Sequence, residues 1–87
     1  MATKYISIPV EVEAIKFDIT TLSEIIIFSE CLNFQLSKKG NLYNCLISLG
    51  GGVKLLVIEG DYVVKDADRN ISVVISEIFE SSYIKKE

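Results

Sequence analysis

Apolar positions along this chain recur first every second residue, then along one side of a helix, then every second residue again. From Pro9 to Phe17, Val10, Val12 and Ala14 share one parity and Glu11 and Glu13 the other, the two-residue period of a strand. The alternation then falters, because Ile15 and Phe17 take the parity of the glutamates. Either both faces are covered at that end or a bulge shifts the register. Pro9 has no amide to donate, so it belongs at the start of this strand or on a sheet edge. Next, Thr21 and Glu24 carry the spacing of a capping box, which predicts a helix from Leu22 to Leu32 that ends near Asn33. Leu22, Ile25, Ile26, Ser29 and Leu32 then form its core stripe, while Ile27, Phe28 and Cys31 fall on or near the opposite face. That second apolar face needs cover.

Beyond the helix the pattern is one of short strands and tight turns. Strands are expected at Phe34 to Ser37, Leu42 to Leu49, Val53 to Ile58, Tyr62 to Lys65 and Ile71 to Ile75. Turn chemistry separates them: Lys38-Lys39-Gly40-Asn41, Gly50-Gly51-Gly52, Glu59-Gly60-Asp61 and Asp66-Ala67-Asp68-Arg69-Asn70. Leu55-Leu56-Val57-Ile58 has no polar alternation, so its strand is expected to be central and buried on both faces. Ser76 is placed to cap a last helix from Glu77 to about Tyr83, with Ile78, Phe79 and Tyr83 docking on the sheet. The terminal Lys85-Lys86-Glu87 is expected to fray. The predicted architecture is one α+β domain over residues 1–87. It has a curved, mostly antiparallel sheet of five or six strands, one main helix after the first strand and a short C-terminal helix.

Composition adds a constraint on size. The chain has 87 residues, 49% of them hydrophobic, with a mean hydropathy of +0.38. A domain this short buries only roughly 60–65% of its unfolded surface, and association is a common remedy, so a homodimer or a standing partner is expected. No apolar run approaches the roughly 18–20 residues that span a bilayer, and the N-terminus has no signal-peptide core. Cys31 and Cys45 lie in apolar stretches and are expected to be reduced core residues rather than a disulfide. The net charge is −3, and the nine basic residues form only two doublets, Lys38-Lys39 and Lys85-Lys86. Direct nucleic-acid binding is not expected without a basic face.

Candidate chemistry is sparse. The chain has no histidine, which removes the commonest general base and the commonest transition-metal ligand. Two cysteines alone cannot close a zinc site. Asp66-x-Asp68-x-Asn70 echoes the start of a calcium loop, but its sixth position is Ile71 rather than Gly, and Glu77 at the twelfth lies across a predicted strand. An acidic turn accounts for it better. Gly50-Gly51-Gly52-Val53-Lys54 lacks the Ser/Thr and the following helix of a phosphate loop, so a hairpin connection is favoured. Glu11 and Glu13 read as a solvated strand face, and Gly60 with Asp61 as a turn. No catalytic, metal or cofactor-binding residue emerges, and no enzyme activity or cofactor is expected. The candidate interface is adhesive: Ile27, Phe28 and Cys31 from the outer helix face, with Tyr5 and Tyr43 nearby, and the mobile-looking Gly50, Gly51 and Gly52.

Two end segments carry a resemblance. Pro9-Val10-Glu11-Val12-Glu13-Ala14-Ile15, with Gly60-Asp61-Tyr62-Val63-Val64-Lys65 and Ile78-Phe79-Glu80 followed by Tyr83, resembles a family of small phage and prophage proteins. That family opens on a strand like KPVEVEAIQ and closes on GDYIIKG…PDIFEKTYE. Asp66 replaces the usual Gly after the lysine, Ser76-Glu77 replaces a proline-aspartate pair, and the stretch from Cys31 to Lys54 has no counterpart. The resemblance implies a bacteriophage or prophage setting, hence the cytoplasm of a bacterial host, and a shared scaffold rather than a shared reaction. It suggests a protein that inhibits a bacterial defence system, anti-CRISPR-like, by masking a host protein such as a defence nuclease. The alternatives are a sponge for a small nucleotide signal, against which the single Arg69 counts, and a structural or regulatory phage accessory protein.

Overall fold

The computed structural model describes residues 2–7 and 10–85, and for residues 5–7, 10, 84 and 85 the backbone alone. The expected position of Pro9, the frayed end at Lys86-Glu87 and the side chain of Tyr5 lie outside what it describes. Among the described residues the elements are β1 (Thr3–Ser7), β2 (Val10–Lys16), α1 (Leu22–Ser29), β3 (Asn33–Lys39), β4 (Leu42–Ser48), a 3₁₀ turn (Gly50–Gly52), β5 (Lys54–Ile58), β6 (Tyr62–Lys65), β7 (Ile71–Val74), α2 (Ser76–Ser82) and β8 (Ile84–Lys85). The α+β class is as expected, but the single curved sheet is not. The strands form two antiparallel sheets, one ordered β7-β6-β2-β1-β8, in which β8 adds only two residues, and one ordered β3-β4-β5.

The division falls at Glu59-Gly60-Asp61. Gly60 takes φ +100° there, and the Asp61 carboxylate accepts the Ile58 amide at 3.0 Å. Phe17 N–H donates to the Asp61 carbonyl at 2.8 Å and Gly60 N–H to the Phe17 carbonyl at 2.9 Å. These bonds fasten the chain to the end of β2, so β6 pairs with β2 rather than back onto β5.

The larger sheet is buried on both faces, which resolves the broken alternation in β2. Its ladders to β1 and β6 run in continuous register, so no bulge is needed. Val12 and Ala14 join Tyr62, Val64 and Phe79 of α2 in one core. Ile15 and Phe17 join Ile25 of α1, Val63, and Cys45, Ile47 and Val57 of the smaller sheet in the other. The layers are therefore α2, the larger sheet, and then α1 together with the inner face of the smaller sheet. In α2, Phe79 is buried and Tyr83 half-buried, but Ile78 is 54% exposed and does not dock. Lys85, expected to fray, pairs with Tyr5 through β8.

The helix α1 is shorter than its apolar pattern. Glu30 adopts φ +54° and ends it, and the Leu32 amide then donates to the Ser48 carbonyl at 2.8 Å, so that Leu32 and Asn33 both oppose Ser48 where the β3–β4 ladder begins. Leu32 leaves the predicted core stripe and stands 78% exposed. Thr21 makes no capping bond into the helix. Asp18 organises the entry instead: its Oδ1 accepts the amides of Thr20 (2.7 Å) and Thr21 (3.1 Å) and the Thr20 hydroxyl. The Thr20 hydroxyl, ahead of the backbone amides and Lys16, holds the Asp18 carboxyl below its ordinary value of 3.8. A depressed folded pKa gives stability that is complete above 3.8 and lost as pH falls through the lower folded value. Asp18→Asn keeps an accepting oxygen without the charge. It is expected to flatten the fall in melting temperature between pH 5 and pH 2, measured by thermal melts; a profile identical to wild type would count against this role of Asp18.

The strand β5 also departs from expectation. It lies at a sheet edge, with Val57 fully buried but Leu56 54% and Ile58 39% exposed. The absence of polar alternation reflects an apolar face left open, not one that is covered.

Candidate functional site

The residues predicted to form an interface do not gather in one patch. Ile27 is 78% exposed and with Phe28, Ala2, Ile15 and Glu24 lines an apolar recess of about 280 Å³. Phe28 is half-buried against the core beneath it, and the Lys65 ammonium sits 4.5 Å from its ring centre. Cys31 is half-buried on the same core, and Tyr43 lies on the inner side of β4 with Lys38 Nζ 5.2 Å from its ring. Both cysteines are free, and burial pushes the Cys45 thiol up from its usual range. Gly50, Gly51 and Gly52 form an exposed 3₁₀ turn, with Gly51 and Gly52 at φ +75° and +79°.

Gly50 borders a cleft of about 410 Å³ with Ser29, Glu30, Leu49, Arg69 and Asn70. The Glu30 carboxylate dominates its charge, pairing with Arg69 and, at 3.7 Å, with Lys65. A phosphate entering this cleft would compete with a carboxylate for both cations, which is poor chemistry for a nucleotide. The acidic turn is likewise occupied by its own backbone: Asp66 Oδ1 accepts the amides of Asp68 and Asn70, each at 2.9 Å. Among the described residues no cluster of ligating side chains could hold a metal ion. No described helix is long and apolar enough to cross a membrane.

One open apolar surface was concealed by the sequence pattern, the outer face of the smaller sheet. Register places Leu46 beside Leu56 and Asn44 beside Ile58, with Leu42 at the hairpin end. Leu42 is 49% exposed, Leu56 and Ile58 are open, and Leu46 is half-buried. The charged positions of this face are Lys39 and Lys54, and none of its paired positions is acidic. On a chain of net charge −3, an apolar face flanked by lysines is a local inversion of sign. Leu42, Leu46, Leu56 and Ile58 were readable as apolar residues, but periodicity cannot distinguish a covered second face from an open one.

No protein-family model matches this chain, and neither a curated protein nor a solved structure matches it.

Proposed function

We propose that this chain is a non-enzymatic protein-binding module of phage or prophage origin that blocks a bacterial defence system, anti-CRISPR-like, by covering a surface of a host protein. The observation that carries the reading is the open face of Leu42, Leu46, Leu56 and Ile58 between Lys39 and Lys54. Exposed apolar clusters rimmed by polar groups are the usual mark of a protein contact. The complementary partner surface is an apolar patch with an acidic rim, whose charge steers association. The resemblance of the two end segments supports the phage setting, in the cytoplasm of a bacterial host. A defence nuclease is the partner this setting favours.

Two linked measurements test it. Tagged protein is expected to capture one nuclease in stoichiometric amount from a defence-bearing lysate, and Leu56→Asp to lose it while keeping the wild-type circular dichroism. Expression of wild type, but not of Leu56→Asp, is expected to raise the plating of a restricted phage. Equal capture by both proteins, or no change in plating across a panel of defence systems, would overturn the reading.

A further inference from the structure

The edge strand β3 is unlike the other edges of this fold. All seven of its residues are exposed, and it pairs with β4 in unbroken register from Asn33↔Ser48 to Lys39↔Leu42. Among the described residues its outer edge has no neighbour in the sheet order. Natural edges are usually blunted by proline, a bulge or an inward charge. Asn33–Lys39 has no proline, the doubling of Leu32 and Asn33 opposite Ser48 touches only its first residue, and its lysines stand only at its hairpin end. Phe34 and Leu36 share the inner face with Ile47 and Cys45, yet are 40% and 39% exposed because β3 overhangs the core. Such an edge calls for another strand.

The sequence of β3 is complementary to its own reverse. An antiparallel pairing centred on its middle residue sets Leu36 against Leu36 and Gln35 against Ser37. It also sets Lys38 against Phe34, Lys39 against Asn33, and exposed Leu32 against Gly40, which has no side chain to clash. Every lysine then meets an aromatic ring or an amide, both favourable partners. Moving the centre to Lys38 would oppose like charges, and moving it elsewhere would leave part of the seven-residue strand unpaired. The total surface leaves room for a partner. The chain presents 5719 Å² of surface, where a folded monomer of its mass presents about 5,100 Å². The excess of about 600 Å² shows a chain more open than a compact monomer of its mass.

We propose that β3 pairs with β3 of a second copy about a twofold axis through Leu36, joining two three-stranded sheets into one across a homodimer. The contact is isologous and closes after two copies, so it does not propagate. It goes beyond the masking function assigned to the outer face, and that function would survive its failure.

Light scattering of the intact chain tests it, with a mass of twice 9.7 kDa expected. Leu36→Lys places like charges on the axis and is expected to halve that mass while still capturing the host partner. Paired Cα atoms in an antiparallel ladder lie about 4.5–5.5 Å apart, within disulfide reach. Because Cys45 faces position 36 within the same chain, the cysteine is introduced with Cys45→Ala: Leu36→Cys in that background is expected to link two copies under mild oxidation, whereas Leu56→Cys in the same background and the wild type are not. If Leu36→Lys fails to fold by circular dichroism, the cysteine crosslink decides. A monomeric wild type, a Leu36→Lys protein that folds and stays dimeric, or crosslinking of Leu56→Cys or wild type to the same extent would each overturn the proposal.

Discussion

Phe79→Ala is expected to remove a large share of the protein's stability. Phe79 is 1% exposed and is the buried residue of α2. Its ring stacks between Tyr62 at 4.0 Å and Tyr83 at 4.6 Å. It also covers the face of the larger sheet made by Val12, Ala14 and Val64. Truncating a buried Phe costs about 3–5 kcal/mol, while a chain of this length is stabilised by about 4–13 kcal/mol in all. The Tyr62 hydroxyl still donates to Glu80 at 2.9 Å, but a bond to an exposed carboxylate cannot replace the lost packing. A fall of more than about 1 M in the urea midpoint is expected. Ile78→Ala, one residue earlier and half exposed, is expected to stay within about 0.5 kcal/mol of wild type. Similar losses for the two variants would show that α2 docks on a different face.

The contrast between Phe79 and Ile78 marks the reach of the sequence as a guide. Local chemistry was legible wherever one residue dictates one geometry. Gly60 takes the positive φ its turn required, Asp61 accepts a turn amide, and Asp66 closes the β6–β7 turn. Long-range pairing was not legible. Nothing local says that β6 joins β2, 52 residues away by the Glu13↔Lys65 pairing, rather than the adjacent β5. β1 was missed for a similar reason, since Thr3–Ser7 acquires its meaning only from the ladder to β2. The candidate interface divides along the same line. Helical periodicity placed Ile27 correctly on the open side, because Ile27 answers only to its own helix. Phe28 and Cys31 are drawn into the core by a sheet that arrives later in the chain.

Two neighbouring residues of β5 offer the sharpest test of the two-sheet arrangement. Val57 pairs with Cys45, is fully buried and lies in the core shared by both sheets. Val57→Asp would place a carboxylate among Ile47, Val63 and Phe17, with no cation in that core to meet it. An uncompensated buried charge costs about 3–5 kcal/mol, a large share of the about 4–13 kcal/mol that holds a chain of this length. Leu56 pairs with Leu46 on the outer face and is 54% exposed. Leu56→Asp loses only strand preference and partial burial, about 1 kcal/mol or less. Urea unfolding followed by circular dichroism is therefore expected to separate adjacent positions by several kcal/mol. If Leu56→Asp proves as damaging as Val57→Asp, β5 is a central strand covered on both faces, as its unbroken run of apolar residues suggested. If they separate, loss of partner capture by Leu56→Asp reports on the surface itself, because the fold beneath it is intact.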